Sequence, residues 1–292
     1  MTRKNGIHRA LAAFLLLILL LSQAQAEIYL DAEPPADWAD RDDLMRVTAF
    51  AALINDCTLI EVGGRSMLVD GGVRKWREQL VASLAELGYD GHVDVLFNTH
   101  PHDDHVQAVT YMVREGFRAD EFWSSFPETH RSDIQKRIVK ALKNAEIPYH
   151  QLSQMETVDF GGATLVFYWW EDGKDPNARS CLMHVTFGGA TLLMTADATG
   201  ATQNAILKTV PPEFIRADVM KMPHHGIVPC PPAFLEAVNP GFIFVTNRKS
   251  STPKSTNQLL NEKIPFYNTT LGRVVMVTDG TDWYIKQYRD MF

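Results

Sequence analysis

The stretch Asn98-Thr-His-Pro-His-Asp-Asp-His105 places His100, His102, Asp104 and His105 within six residues. Imidazole nitrogen and carboxylate oxygen are the donors that a borderline divalent ion such as zinc accepts. The stretch directly follows a short apolar run, Val93–Phe97, so a rigid strand pre-positions all four donors on one tight loop. A second donor pair, His224 and His225, follows another apolar run in Asp218-Val-Met-Lys-Met-Pro-His-His-Gly226. Adjacent histidines say little alone. They gain weight because a metal bound on the first loop still lacks ligands. Two carboxylates also end apolar runs: Asp70 in Met67-Leu-Val-Asp-Gly-Gly72, and Asp197 in Thr191-Leu-Leu-Met-Thr-Ala-Asp197. An aspartate in that place serves as often to cap a helix or form a turn as to bind a ligand.

The elements that would hold these groups are short. Val47–Ile54, Cys57–Val62 and Ser66–Val69 read as strands, the last two joined by the turn signal Gly63-Gly64-Arg65. Val73–Leu87 has apolar residues at helical spacing and stops at Gly88. Arg131–Ala145 reads as a basic amphipathic helix. Strands follow at Thr157–Phe160, Thr164–Trp170, Cys181–Phe187 and Thr191–Thr195, with Gly-Gly pairs at 161–162 and 188–189 as turns. From Thr199 helices alternate with strands, the strands at Asp218–Met222, Phe242–Thr246, Arg273–Val277 and Trp283–Lys286. This mixture predicts α/β sheets covered by helices, with the chemistry in loops at strand ends.

Taken together, the four donor segments resemble the metallo-β-lactamase superfamily. Asp70, the H-x-H-x-D-H loop, Asp197 and the final histidine loop occur in that family's order between about Val47 and Tyr288. More narrowly, the chain resembles the hydrolase domain of ComEC-type competence proteins and its free-standing relatives. The matching pieces are Asp70-Gly71-Gly72, Thr99 to His105, Asn177-Ala-Arg-Ser180, Thr195-Ala-Asp-Ala198 and Lys221-Met-Pro-His-His-Gly226. The resemblance implies an αββα sandwich of two mixed β-sheets covered by helices. It also implies two divalent ions, zinc or alternatively manganese, bridged by Asp197 and a hydroxide. His100 and His102 would hold the first ion. Asp104, His105 and one of His225 (the first choice) or His224 would hold the second. Asp104 would in addition orient the hydroxide or take its proton. Asp70 would lie behind a ligand, and Asn177 and Ser180 would meet substrate. The chain departs from the family in carrying Asn177–Ser180 where most members have a third-motif histidine, so His184 and Cys230 stand as fallback ligands. It also has Ala196 where glycine is usual, and Ile227 where serine is usual.

Composition bounds the rest. At 292 residues, 46% hydrophobic and 22% charged, the chain is neither disordered nor a disulfide scaffold. Arg3, Lys4 and Arg9 precede the apolar run Ala10–Leu21, and Ala-Gln-Ala ends at Ala26, which is the pattern of a cleaved secretory signal peptide. Twelve apolar residues span roughly 18 Å, short of the ~30 Å of a hydrocarbon core, so no stable membrane anchor is expected. Residues 27–45 read as an exposed lead-in and 46–292 as the hydrolase domain. Without Arg3, Lys4 and Arg9 the chain holds 25 basic against 35 acidic residues, a net charge of −10, which gives no strong generic attraction to DNA. Arg131, Lys136, Arg137, Lys140 and Lys143, with Arg248, Lys249 and Lys254, form a local basic rim or simply a solvated face. Cys57, Cys181 and Cys230 lack C-x-x-C spacing and read as structural. The expectation is therefore a secreted or extracytoplasmic hydrolase using a metal-bound hydroxide on a small-molecule or nucleic-acid phosphodiester. The alternatives are another ester, such as an envelope phospholipid head group or a lactone, and a non-catalytic metal-binding relative. No sequence signal bears on oligomeric state.

Overall fold

The computed structural model describes residues 26–38, 41–51, 56–247 and 251–289. The expected leader, apart from Ala26, lies outside them, as do Arg248 and Lys249 of the expected basic rim. Two mixed sheets lie face to face. In spatial order the first runs β1 (Ile28–Leu30), β16 (Trp283–Tyr288), β15 (Arg273–Thr278), β2 (Met45–Ala49), β3 (Thr58–Val62), β4 (Arg65–Val69), β5 (His92–Asn98), β6 (Arg118–Ser124) and β7 (Tyr149–Gln151). The second runs β14 (Phe266–Asn268), β13 (Phe242–Val245), β12 (Val219–Lys221), β11 (Ala190–Met194), β10 (Leu182–Phe187), β9 (Ala163–Tyr168) and β8 (Glu156–Phe160). Strands β4 to β7 are mutually parallel, and so are β11 to β14.

Period-two alternation splits each strand between two cores. Ile60, Met67, Val69, Leu165 and Phe167 point between the sheets. Their neighbours Leu59 and Leu68 face outward beneath the helices α1 (Arg77–Glu86), α2 (Asp103–Arg114) and α3 (Asp133–Asn144), meeting Leu80, Val109, Met112 and Ile138. Val166 and Tyr168 face the helices α4 (Gly200–Thr209), α5 (Pro232–Val238) and α6 (Pro253–Asn261), meeting Ile206, Phe234 and Leu259. The result is the expected αββα sandwich. Strands covered on both faces carry near-continuous apolar runs, which is why β4, β5 and β11 were readable as strands.

Three features differ from the sequence reading. The first is that the histidine stretch is not one loop. Asp103 begins α2 and His102 is its N-cap, so Asp104 and His105 ride on the first helical turn. Its acidic start favours that end of the helix dipole. The second is that residues 27–45 are not simply an exposed lead-in. Ile28–Leu30 pairs in parallel with Trp283–Ile285, and Trp38 is buried against Leu44, Val275 and Val277. Third, β6, β7 and β14 complete the parallel edges, yet Arg118–Ser124 alternates too irregularly to announce itself. The basic helix is α3, capped by Ser132 accepting from the Gln135 amide. Lys136, Arg137 and Lys143 pair with Asp133, Asp103 and Glu128 respectively, which makes this a solvated, partly neutralised face.

Candidate metal centre

Five parallel strands end at one edge of the sandwich: β4 before Asp70, β5 before Thr99, β11 before Asp197, β12 before His224 and His225, and β13 before Thr246. β3 is antiparallel to β4, so its start, preceded by Asp56, lies at the same edge. Both sheets thus bring their polar strand ends to one place. Gly71 is required there, since a Cβ on it would come 2.6 Å from Val109 of α2.

Asp70 organises the first group. Its Oδ1 accepts from Asn98 Nδ2 at 2.9 Å and the Thr99 amide at 3.0 Å. Its Oδ2 accepts from Thr99 Oγ1 at 2.7 Å and lies 2.8 Å from His105 Nδ1. A carboxylate only accepts, so His105 carries its proton on Nδ1 and turns Nε2 into the site. The Thr99 hydroxyl spends its hydrogen on Asp70, so it accepts from His100 Nδ1 at 3.1 Å, and His100 likewise presents Nε2. Asp70 is therefore a positioning group behind two imidazoles, one reached directly and one through Thr99.

Asp197 lies at the centre. Its Oδ1 is 3.4 Å from His105 Nε2, and its Oδ2 is 3.5 Å from His225 Nε2, 3.6 Å from His224 Nε2 and 3.9 Å from His100 Nε2. His225 Nε2 also lies 3.3 Å from Asp104 Oδ2. The donors of Asp104, His105, Asp197 and His225 all fall within 4.8 Å of one another. The two adjacent histidines are not alternatives to each other: both reach Asp197, and His224 does so from the side of Asn177, whose Nδ2 is 3.4 Å away. The ring of His102, part-exposed, packs edge-on against His100 at 4.7 Å.

The charges are mutually adjusted. Burial favours the neutral forms, but the Asp197 and Asp70 carboxylates outweigh it and hold His105 well above the usual imidazole range. His225 is raised in the same way by Asp56 and Asp197. Burial opposes the charge on Asp197, yet His105 and His225 keep it well below the usual carboxylate range. For Asp104, burial is outweighed by the adjacent His225 imidazole and the charge of His105, which bring it to about 2. Burial and the neighbouring charge of His105 push His100 far down, so it is neutral. A cation bound among these groups would take over the charge-balancing part that raised imidazoles play without it.

One buried carboxylate escaped the sequence reading. Asp56 sits 2.6 Å from Lys221 Nζ and 3.1 Å from His225 Nδ1, and accepts from Thr246 Oγ1 at 2.6 Å. It lies in Asn55-Asp56-Cys57, where no spacing sets it apart. Ser180 is fully buried with its hydroxyl unpartnered, and Asn177 Oδ1 is likewise unpartnered. The fallback ligands are elsewhere. His184 Nε2 takes the Arg216 carbonyl at 2.9 Å, and Cys230 is buried beside Met222. All three cysteines are free and buried, with burial raising each thiol, that of Cys230 to about 12. Tyr168 is core, its hydroxyl donating to the Phe214 carbonyl.

These residues fit a divalent cation. His100 Nε2, His105 Nε2, His225 Nε2 and Asp197 Oδ1 are all buried, all face the same space, and none has a hydrogen-bond partner. Buried polar atoms are rarely left so. Imidazole nitrogens gathered beside one buried carboxylate are the donor chemistry of zinc-like ions.

The profile described as the metallo-beta-lactamase superfamily matches residues 51–229, which contains every one of these donors. The chain belongs to the metallo-β-lactamase superfamily. No curated protein sequence matches it. Among solved structures, CmlA, a diiron β-hydroxylase from Streptomyces venezuelae, is similar at 13% identity and a TM-score of 0.52. That match covers 83% of this chain and 55% of CmlA, so this superfamily member spans about half the length of that relative. The metallo-β-lactamase fold protein YhfI from Bacillus subtilis is 15% identical at a TM-score of 0.49, covering 77% of this chain and 96% of YhfI. A diphosphatase of the PhnP family is 15% identical at 0.47, covering 80% and 98%. Metallo-β-lactamase-fold proteins generally bind divalent metals and include hydrolases, and this chain has the donors for such chemistry.

Proposed function

We propose that the protein is an exported, metal-dependent hydrolase of phosphodiesters, acting on a nucleic-acid or nucleotide-like substrate. The observation that carries the reading is the convergence of unpartnered imidazole and carboxylate atoms on Asp197 from two sides. On one side Asp104, His105 and His225 share Asp197 and would hold one divalent ion. On the other, His100, His102 and His224 would hold a second, with His224 standing in for the third-motif histidine. Bound divalent ions there supply a water of lowered pKa and neutralise charge on a phosphoryl oxygen. The chain's own residues do the rest. Asp70 and Thr99 keep the Nε2 lone pairs of His105 and His100 aimed inward. Asp104, held as a carboxylate at about 2, is suited to ligation rather than to proton uptake near neutral pH. Asn177, whose Nδ2 lies 3.4 Å from His224 Nε2, and Ser180, whose buried hydroxyl is unpartnered, would meet substrate in this reading. The ComEC-type motif set supports the phosphodiester class.

A second reading rests on the loop after His225. Ile227 is 47% exposed and Val228 59%, an apolar lip that suits an ester on an envelope phospholipid head group. One experiment separates the two. Chelator-treated protein is titrated with zinc and with manganese while hydrolysis of bis(p-nitrophenyl) phosphate, a dinucleotide, a phospholipid and a lactone is followed. Cleavage of the two phosphodiesters, rising in two phases as metal is added, is expected. The second phase belongs to the His102–His224 side, whose ligands are part-exposed and exchange more readily. Activity confined to the lipid or lactone, or none with either ion, rejects the phosphodiester reading.

Export rests on the leader pattern alone. N-terminal sequencing of the secreted protein is expected to begin at Glu27. An intact Met1 on a membrane fraction would make the segment an anchor instead.

A further inference from the structure

We propose that Asp56, clamped by the buried Lys221 ammonium, is the positioning residue for His225, and that with Thr246 it forms a second orienting unit matching the one that Asp70 and Thr99 form for His105 and His100. The inference rests on the metal-binding reading above and assigns a role to groups which that reading does not use.

The parallel is atomic. Thr246 Oγ1 donates to Asp56 Oδ1 at 2.6 Å, as Thr99 Oγ1 donates to Asp70. With the hydroxyl hydrogen so committed, both Thr246 Oγ1 and Asp56 Oδ1 face His225 Nδ1 as acceptors, each at 3.1 Å. The neutral imidazole must then carry its proton on Nδ1. The lone pair is left on Nε2, the atom that lies 3.3 Å from Asp104 and 3.5 Å from Asp197 with no partner of its own. A carboxylate–histidine pair of this kind fixes tautomer and ring orientation at a metal ligand.

Lys221 extends the unit to the second ligand loop. Its Nζ is buried and meets three acceptors: Asp56 Oδ2 at 2.6 Å, the Ala196 carbonyl at 2.8 Å and the Met222 carbonyl at 3.3 Å. The Ala196 carbonyl also accepts from the His224 amide at 2.9 Å. Ala196, His224 and His225 all hold left-handed backbone, with φ of 47°, 49° and 53°. Non-glycine residues keep such angles only where their surroundings impose them. One ammonium therefore ties the turn that presents Asp197 to the turn that presents His225, and anchors the carboxylate that aims the imidazole. A merely structural ion pair would not need its second oxygen on a ligand's distal nitrogen.

The decisive variant is Asp56→Asn. Lys221 Nζ can only donate, so the new amide must turn its oxygen to Lys221 and its NH₂ to His225. That demands a lone pair on Nδ1 and puts the proton on Nε2. Zinc titration against a chromophoric chelator is expected to show one of two sites weakened roughly 10- to 100-fold, with the other unchanged and the circular dichroism of the wild type retained. As a measurement independent of any variant, long-range 1H–15N correlation on the zinc-loaded wild type is expected to show His225 bound through Nε2 and protonated at Nδ1. A folded Asp56→Asn protein binding both zinc ions with wild-type affinity overturns the inference alone. So does a His225 bound through Nδ1, which is the deciding result if the variant does not fold. A wild type that takes up neither zinc nor manganese overturns this inference and the proposed function together.

Discussion

Asp197→Asn is expected to cut the proposed phosphodiester hydrolysis by about 10²- to 10³-fold, the scale on which removing one preorganised group acts. The reason is its reach. Its two oxygens face His100, His105, His224 and His225 between 3.4 and 3.9 Å, so one side chain serves both halves of the site. An amide keeps the shape and loses the anion. Bound metal, measured by atomic absorption after dialysis, is expected to fall from two equivalents to fewer than one. The basis of the imidazole charge falls with it, since Asp197 heads the causes that raise His105 once burial is overcome. A variant within tenfold of wild-type turnover and still carrying two ions would remove Asp197 from the centre of the chemistry.

Lys221→Met is expected to be the most destabilising single change near the site, at roughly 3–5 kcal/mol by denaturant unfolding, because it leaves a buried carboxylate without its counter-charge. Asp56 is 4% exposed, and its ionisation depends on offsetting burial with the charge of Lys221 and then of His225. Methionine keeps an unbranched chain of similar length but removes the ammonium, both its charge beside Asp56 and its hydrogen bonds to the Ala196 and Met222 carbonyls. The double variant Asp56→Leu/Lys221→Met, which removes both charges, is expected to recover most of that stability, since a buried pair replaced by apolar groups is often neutral. It is not expected to recover zinc affinity, because no carboxylate remains behind His225. A single Lys221→Met protein as stable as wild type would show that the pair is not isolated from water as described.

What could be read in advance follows the distance over which each feature is encoded. The donor residues were legible because the fold spends one short motif on each strand end, and a motif is contiguous. His100, His102, Asp104 and His105 could be named from six residues, and Asp70 and Asp197 from the apolar runs before them. That both His224 and His225 reach Asp197 was not legible. It depends on two successive left-handed residues after Pro223, which let both adjacent side chains reach Asp197 Oδ2, His224 beside Asn177 and His225 beside Asp104. Asp56 was invisible for a stronger reason. Its partners Lys221, His225 and Thr246 are remote in sequence, and no local pattern marks an aspartate that becomes buried by contact alone. The start of α2 was hidden by its own chemistry, since a polar, ligand-bearing first turn breaks the apolar period that announces a helix. The edge strand β1 is three residues long and is made a strand only by β16, near the other end of the chain.

The bond from Thr246 to Asp56 closes a loop of 190 residues. Contacts of that span form late, because the entropy of closing the intervening chain is lost before they return anything. The donor cluster around Asp197 is therefore expected among the last parts of the molecule to form, and an unfolded chain has no preformed cage with which to capture an ion. Affinity rankings among divalent metals differ little from one nitrogen–oxygen site to another, so ligand geometry and the ions at hand decide between them. The divalent ions present where folding finishes, and not those met by the unfolded chain, are then the ones this donor set would be expected to sample.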